Sequence, residues 1–162
     1  MNEIAHLGAL HTIAQLSVAL IGFSGIVVAL GDRAIGSWSQ AERLQLYALV
    51  LPPATALAAS FAPELLATEI GSHEEVWRWS NLVLGLLHLA NFLPFFIIGL
   101  RKGGVTPMQM ALSVTGLTAI AAHFLAAAGL VGWLELIFLA GLLQQLGVGL
   151  YNFILLMGMC LD

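Results

Sequence analysis

The chain has 162 residues, of which 60% are hydrophobic and only 9% are charged. Average soluble domains carry about 25% charged residues, so this composition excludes an ordinary water-soluble globule and favours a protein that folds in lipid. Five Lys and Arg residues against nine Asp and Glu residues leave no basic face for nucleic acid. The single cysteine, Cys160, excludes an internal disulfide.

Long apolar runs divide the chain into predicted membrane spans. A spanning helix needs about 20 mainly apolar residues, and five such runs occur between charged or turn-rich segments. The predicted helices cover residues 10–31, 44–66, 81–100, 109–128 and 133–159. We therefore expect an all-α polytopic membrane bundle in which residues 1–162 form a single transmembrane domain.

Small residues on the first and fourth predicted helices form stripes that let neighbouring helices approach closely. Gly22 and Gly25 lie on the first stripe, and Ala119 lies on the second, which His123 interrupts. Because lipid supplies no hydrophobic drive for association, such stripes predict helix packing and a homo-oligomer.

The connections between helices carry two further signals. The second predicted helix contains Pro52, Pro53 and Pro63, each without a backbone N–H, so it should be kinked or broken. The short segment 129–132 predicts that the fourth and fifth helices are antiparallel neighbours.

The orientation follows from the basic residues, because positively charged loops stay on the cytoplasmic side. Four basic residues fall in the first and third loops: Arg33, Arg43, Arg101 and Lys102. The opposite loops hold only Arg78, so we expect the N-terminus outside and the C-terminus inside. The predicted interfacial anchors are Trp38, Trp77, Trp79 and Trp133.

Polar side chains within the apolar runs are candidate functional residues, because they are costly in hydrocarbon. At about 1.5 Å per residue, His88 and His123 lie at nearly the same depth from the outer end of their helices. Asn81 and Asn91 share one broad helix face with His88. The less specific alternative is that both histidines only form packing hydrogen bonds, to Asn91, Thr115 or a backbone carbonyl.

The first functional interpretation is a cation or proton pathway in a homo-oligomeric channel or transport protein. Outer carboxylates would concentrate the ion, and imidazoles would exchange protons near neutral pH. The candidate residues are His88, His123, Asn91, Gln144, Gln145, Asn152, Glu64, Glu69 and Glu135.

The second interpretation is a b-type haem with His88 and His123 as axial ligands, for which Gly85 and Gly116 would make room. A third is a structural or partner-binding membrane subunit. An enzyme is not favoured, because no catalytic constellation emerges and His73-Glu74-Glu75 lacks the second histidine of a zinc-protease motif.

The first 45 residues also carry a resemblance. The run Gly22 to Gly31, reading GFSGIVVALG, is followed by Asp32-Arg33 and later by Trp38-Ser39. This string resembles a group of small uncharacterised bacterial integral membrane proteins. The resemblance implies a multi-pass protein of the bacterial inner membrane and implies no activity.

Overall fold

The computed structural model describes residues 6–30, 39–102 and 106–161, and within these ranges the chain is helical with no strand. The helices are α1 (Leu7–Leu30), α2 (Gln40–Ser60), α3 (Ala62–Ala67), α4 (His73–Lys102), α5 (Pro107–Ala127) and α6 (Leu134–Leu161). Five spans in this part of the chain are long and apolar enough to cross a membrane, with α2 and α3 together forming the second. The expected all-α membrane bundle is confirmed.

The helix α4 begins at His73, well before the expected start at residue 81. Its first turn carries Glu74 and Glu75, and acidic side chains are favourable beside the unpaired N–H groups of a helix N-terminus. The helix therefore extends beyond the apolar run that marked its expected boundary.

Of the prolines in the second span, only Pro63 accompanies a break in the helix. Pro52 and Pro53 both lie inside α2, which continues through them to Ser60. The break comes at Phe61, ahead of Pro63 in the first turn of α3. Pro63 has no N–H to continue the ladder, which accounts for the predicted interruption.

The proline pair instead fixes how α2 packs on α6. A Cβ atom placed on Gly149 would lie 2.4 Å from Pro53 Cγ, closer than any real Cβ contact. Glycine at this position lets the proline ring rest directly against the α6 backbone. Pro52 and Pro53 are both buried.

The helix α5 has well-defined ends. Thr106 and Gln109 form a capping box, in which the Gln109 N–H donates to Thr106 Oγ1 and the Thr106 N–H donates to Gln109 Oε1. The helix ends before Gly129, whose φ of 73° reverses the chain. The short turn places α5 and α6 side by side, as expected.

The apolar core lies between α1, α2, α4, α5 and α6. Its members include Leu10, Ala56, Leu84 and Phe138. Trp77 belongs to this core with 1% of its surface exposed, so its ring packs inside the bundle and does not face lipid. Its ring packs edge-on against Phe138, whereas Trp133 is 77% exposed.

Several residues that set the predicted orientation lie outside the described part of the chain. Asp32, Arg33 and Trp38 fall between residues 30 and 39, and the side chains of Arg101 and Lys102 are likewise not described. The orientation therefore remains a prediction.

Candidate functional site

His123 lies at the centre of a buried polar contact between α4 and α5. The Asn81 amide nitrogen donates to the carbonyl oxygens of Trp77 and Leu134, at 2.9 Å in each case. These two bonds turn Asn81 Oδ1 towards His123, whose Nδ1 lies 2.9 Å away. Because an amide oxygen only accepts, Nδ1–H is the donor, and His123 Nε2 carries the lone pair.

Two glycines make room for the His123 ring. A Cβ atom on Gly141 would lie 2.2 Å from His123 Nε2, and one on Gly85 would lie 3.0 Å from His123 Cβ. The side chain is fully buried, and Nε2 has no hydrogen-bond partner. His123 is thus enclosed between the backbones of α4 and α6.

His88 lies beside His123, with their ring centroids 6.0 Å apart. The expectation that the two imidazoles share one depth is confirmed. Their partners differ from those expected, because His123 bonds Asn81, and Asn91 contacts Thr55 on α2.

A haem between these two histidines does not fit this packing. Axial ligation requires open space for the macrocycle between the two rings. The notch at Gly85 is occupied by His123 and Phe124, and a Cβ on Gly116 would lie 3.1 Å from the Phe92 ring. His123 Nε2 itself faces the α6 backbone at Gly141.

A cavity of about 440 Å³ opens on the other side of His88, between α2, α4, α5 and α6. Its volume falls within the range of about 300 to 1,000 Å³ that is usual for small-molecule sites. The polar residues that line it are Gln45, His88, Asn91, Gln109, Ser113, Gln144, Gln145, Tyr151 and Asn152. Four of these, Gln144, Gln145, Tyr151 and Asn152, come from α6.

Three buried polar atoms belong to side chains that line this cavity and have no hydrogen-bond partner. They are His88 Nδ1, Gln144 Oε1 and Gln145 Nε2. His88 is 3% exposed and Gln145 is 2% exposed. A buried polar atom without a partner costs about 1 to 3 kcal/mol. The three atoms have almost no accessible surface, so their side chains must turn towards the cavity before a bound molecule can supply the partners.

Two hydrogen-bonded pairs connect helices around the cavity. The Asn91 amide contacts Thr55 Oγ1, which links α4 to α2. Gln45 Nε2 donates to Asn152 Oδ1 at 3.1 Å, which links α2 to α6. Asn91 and Asn152 therefore have structural partners, whereas Gln145 Nε2 does not.

The predicted ion-collecting carboxylates lie at the opposite end of the bundle. The Glu135 carboxylate lies 2.7 Å from His73 Nε2 and 3.1 Å from His6 Nε2. Glu64 lies 3.6 Å from His11 Nε2, and Glu69 is exposed.

A packed apolar layer separates these carboxylates from the cavity. Along α6, Phe138 and Leu142 lie between Glu135 and Gln145, and along α4, Leu84 lies between His73 and His88. The three layer residues have no exposed surface. Besides these apolar side chains, the fully buried Asn81 and His123 lie between the carboxylates and His88.

Gln45 and the aromatic wall of the cavity were not predicted from the sequence. Phe92, Phe95 and Phe96 line it, and the Phe92 and Phe96 rings stack with centroids 5.2 Å apart. The signal was the spacing of these rings, which places them on one helix face next to Asn91. In a chain this apolar, phenylalanines alone do not mark a site.

Gly22 and Gly25, the predicted packing residues of α1, do not face another helix in the described part of the chain. A Cβ atom on Gly22 or Gly25 would meet nothing within 4 Å, and both residues are exposed. Ala119 on α5 is half-buried.

Comparison of the chain with family models, with curated proteins and with solved structures gave no match. Within the described ranges, no group of three or more His, Cys, Asp or Glu side chains is arranged to hold a metal ion. The five long apolar helices indicate a multi-pass membrane protein.

Proposed function

We propose that this membrane protein binds a small uncharged molecule in the cavity between α2, α4, α5 and α6, as a carrier or receptor for that molecule. The observation that carries the proposal is the set of unpartnered atoms on His88, Gln144 and Gln145, all buried beside the same cavity. The resemblance of the first 45 residues supports a location in a bacterial inner membrane.

The cavity wall favours an uncharged ligand over an ion. No Asp, Glu, Lys or Arg lines the cavity among the described residues, so an ionic ligand would have no counter-charge there. The carboxylates Glu64, Glu69 and Glu135 lie beyond the apolar layer. Conduction between copies in an oligomer would need a different surface, and it stays a prediction.

The test compares what the protein retains when the cavity is open and when it is filled. Ala48 lines the cavity, so Ala48→Phe should occupy its volume, whereas Ala58→Phe places the same ring on the exposed face of α2. Both variants and the wild type would be purified in mild detergent, and the extracted small molecules would be compared by mass spectrometry.

We expect an uncharged molecule that is present near one per chain in the wild type and in Ala58→Phe. It should be depleted at least tenfold in Ala48→Phe. Identical extracts from all three folded proteins would contradict the proposal.

A further inference from the structure

We propose that the cavity binds the head group of a lipid-soluble quinone or its quinol, an inference that rests on the proposed function and names its ligand class. The head group is a planar uncharged ring with two oxygen atoms, held in the membrane by an apolar tail. Each of these properties has a counterpart in the cavity.

The polar atoms match both oxidation states of such a ring. Gln145 Nε2 is a donor, Gln144 Oε1 is an acceptor, and His88 Nδ1 serves as either according to tautomer. Quinone carbonyl oxygens would accept from Gln145 and His88. Quinol hydroxyl groups would donate to Gln144 and His88. Once these side chains turn towards the cavity, the same three residues can satisfy both forms.

The apolar part of the wall suits a flat ring. Phe92, Phe95, Phe96 and Tyr151 line the cavity beside the amide groups. Aromatic side chains favour offset-stacked or edge-on contacts with another ring. A non-aromatic polar solute would leave this surface without a matching partner.

The position of the cavity suits a ligand that carries a tail in the bilayer. It extends from His88, near the middle of α4, to Gln109 and Leu44, near the N-terminal ends of α5 and α2. A head group at His88 would therefore lie within a membrane span, and half-exposed residues such as Ile98 and Phe95 border the site.

The experiment measures binding of tritiated decyl-chain benzoquinone to the full-length protein in nanodiscs by a scintillation proximity assay. Empty nanodiscs correct for partitioning into lipid, and unlabelled decyl-chain benzoquinone is the competitor. The variants are His88→Leu and Gln145→Leu, with Thr118→Val on the exposed face of α5 as the control. Thermal melting of each variant establishes that it is folded.

We expect saturable binding of one molecule per chain that the competitor displaces. Loss of one buried hydrogen bond should weaken binding about tenfold in Gln145→Leu and in His88→Leu, and Thr118→Val should bind as the wild type does. If the histidine variant fails to fold, the Gln145→Leu comparison still decides the proposal.

Binding that does not saturate, or that is equal in the wild type and a folded Gln145→Leu, would overturn the quinone assignment. The extraction experiment separates this failure from failure of the proposed function. A different uncharged molecule, retained by the wild type and lost in Ala48→Phe, would refute the quinone and leave the binding function standing.

Discussion

The position of His123 depends on two neighbouring glycines that have no side chain. Gly85 presents bare backbone to the His123 Cβ atom and Gly141 to its ring, and Asn81 fixes the direction in which Nδ1 donates. Since the ring is fully buried, any added volume on either helix must move the imidazole or separate the helices.

Gly141→Ala tests this close packing. The new Cβ atom would overlap His123 Nε2, so we expect a loss of about 1 to 3 kcal/mol in stability, as is typical of overpacked sites. Thermal unfolding in detergent would show a lower midpoint. Gly147→Ala in the same helix is the control, because its Cβ would meet nothing within 4 Å. Equal midpoints for the two variants would contradict the packing described for His123.

The residues differ in how far the sequence alone could place them. The common depth of His88 and His123 follows from counting along helices, because the rise per residue is fixed. The role of Asn81 as the partner of His123 could not be found this way, since it depends on how the helices are rotated about their axes. The cavity depends on spacing between helices, which no single helix encodes.

At the scale of the elements, Arg78 has a structural role that its charge alone did not suggest. Its Nε donates to the carbonyl oxygen of Ala127 at 3.1 Å, and its guanidinium lies against Gly129. This carbonyl is one of those left unpaired at the end of α5, and a cation is favourable at a helix C-terminus. Arg78 therefore caps a neighbouring helix.

Arg78→Ala should loosen the end of α5. We expect a loss of about 1 kcal/mol, because the arginine is half-buried and water can replace part of the contact. Hydrogen exchange should become faster over residues 124–130. Arg78→Lys, which keeps the charge, should lie between the wild type and the alanine variant. Unchanged exchange in Arg78→Ala would show that α5 does not depend on this cap.

Some helix boundaries are determined by residues close by in the sequence. The capping box at Thr106 and Gln109 is a local motif, and α5 begins beside it. The start of α4 was missed because an apolar criterion ends where charged residues begin, although a helix can continue into water. Pro52 and Pro53 were expected to disturb α2, but packing against Gly149 accommodates Pro53 within the continuous helix.

At the scale of the whole molecule, the orientation remains to be measured. The basic residues predict that Gly103 faces the cytoplasm and that Ser72 faces outward. In a Cys160→Ser background, an impermeant maleimide added to intact cells should label Ser72→Cys and spare Gly103→Cys until the cells are opened. The reverse pattern would invert the orientation and place the cavity at the outer end of the bundle.

Assembly is a second question at this scale. Gly25 lies on an exposed face of α1 with open space around it, which suits close approach of another copy. We expect Gly25→Leu to shift a homo-oligomer towards monomer in mild detergent, as measured by light scattering. Gly147→Leu on α6 is the matched control, since Gly147 is also open. A wild type that is monomeric at every concentration would contradict the predicted homo-oligomer.

An experimental structure of the protein purified in native lipid would show directly whether the cavity holds a bound molecule. A molecule bound in the cavity predicts non-protein density within hydrogen-bond distance of His88 Nδ1, Gln144 Oε1 and Gln145 Nε2, the three atoms that otherwise lack partners. Closed packing of α2 against α4 and α5, with these side chains bonded to one another and no space between them, would contradict it.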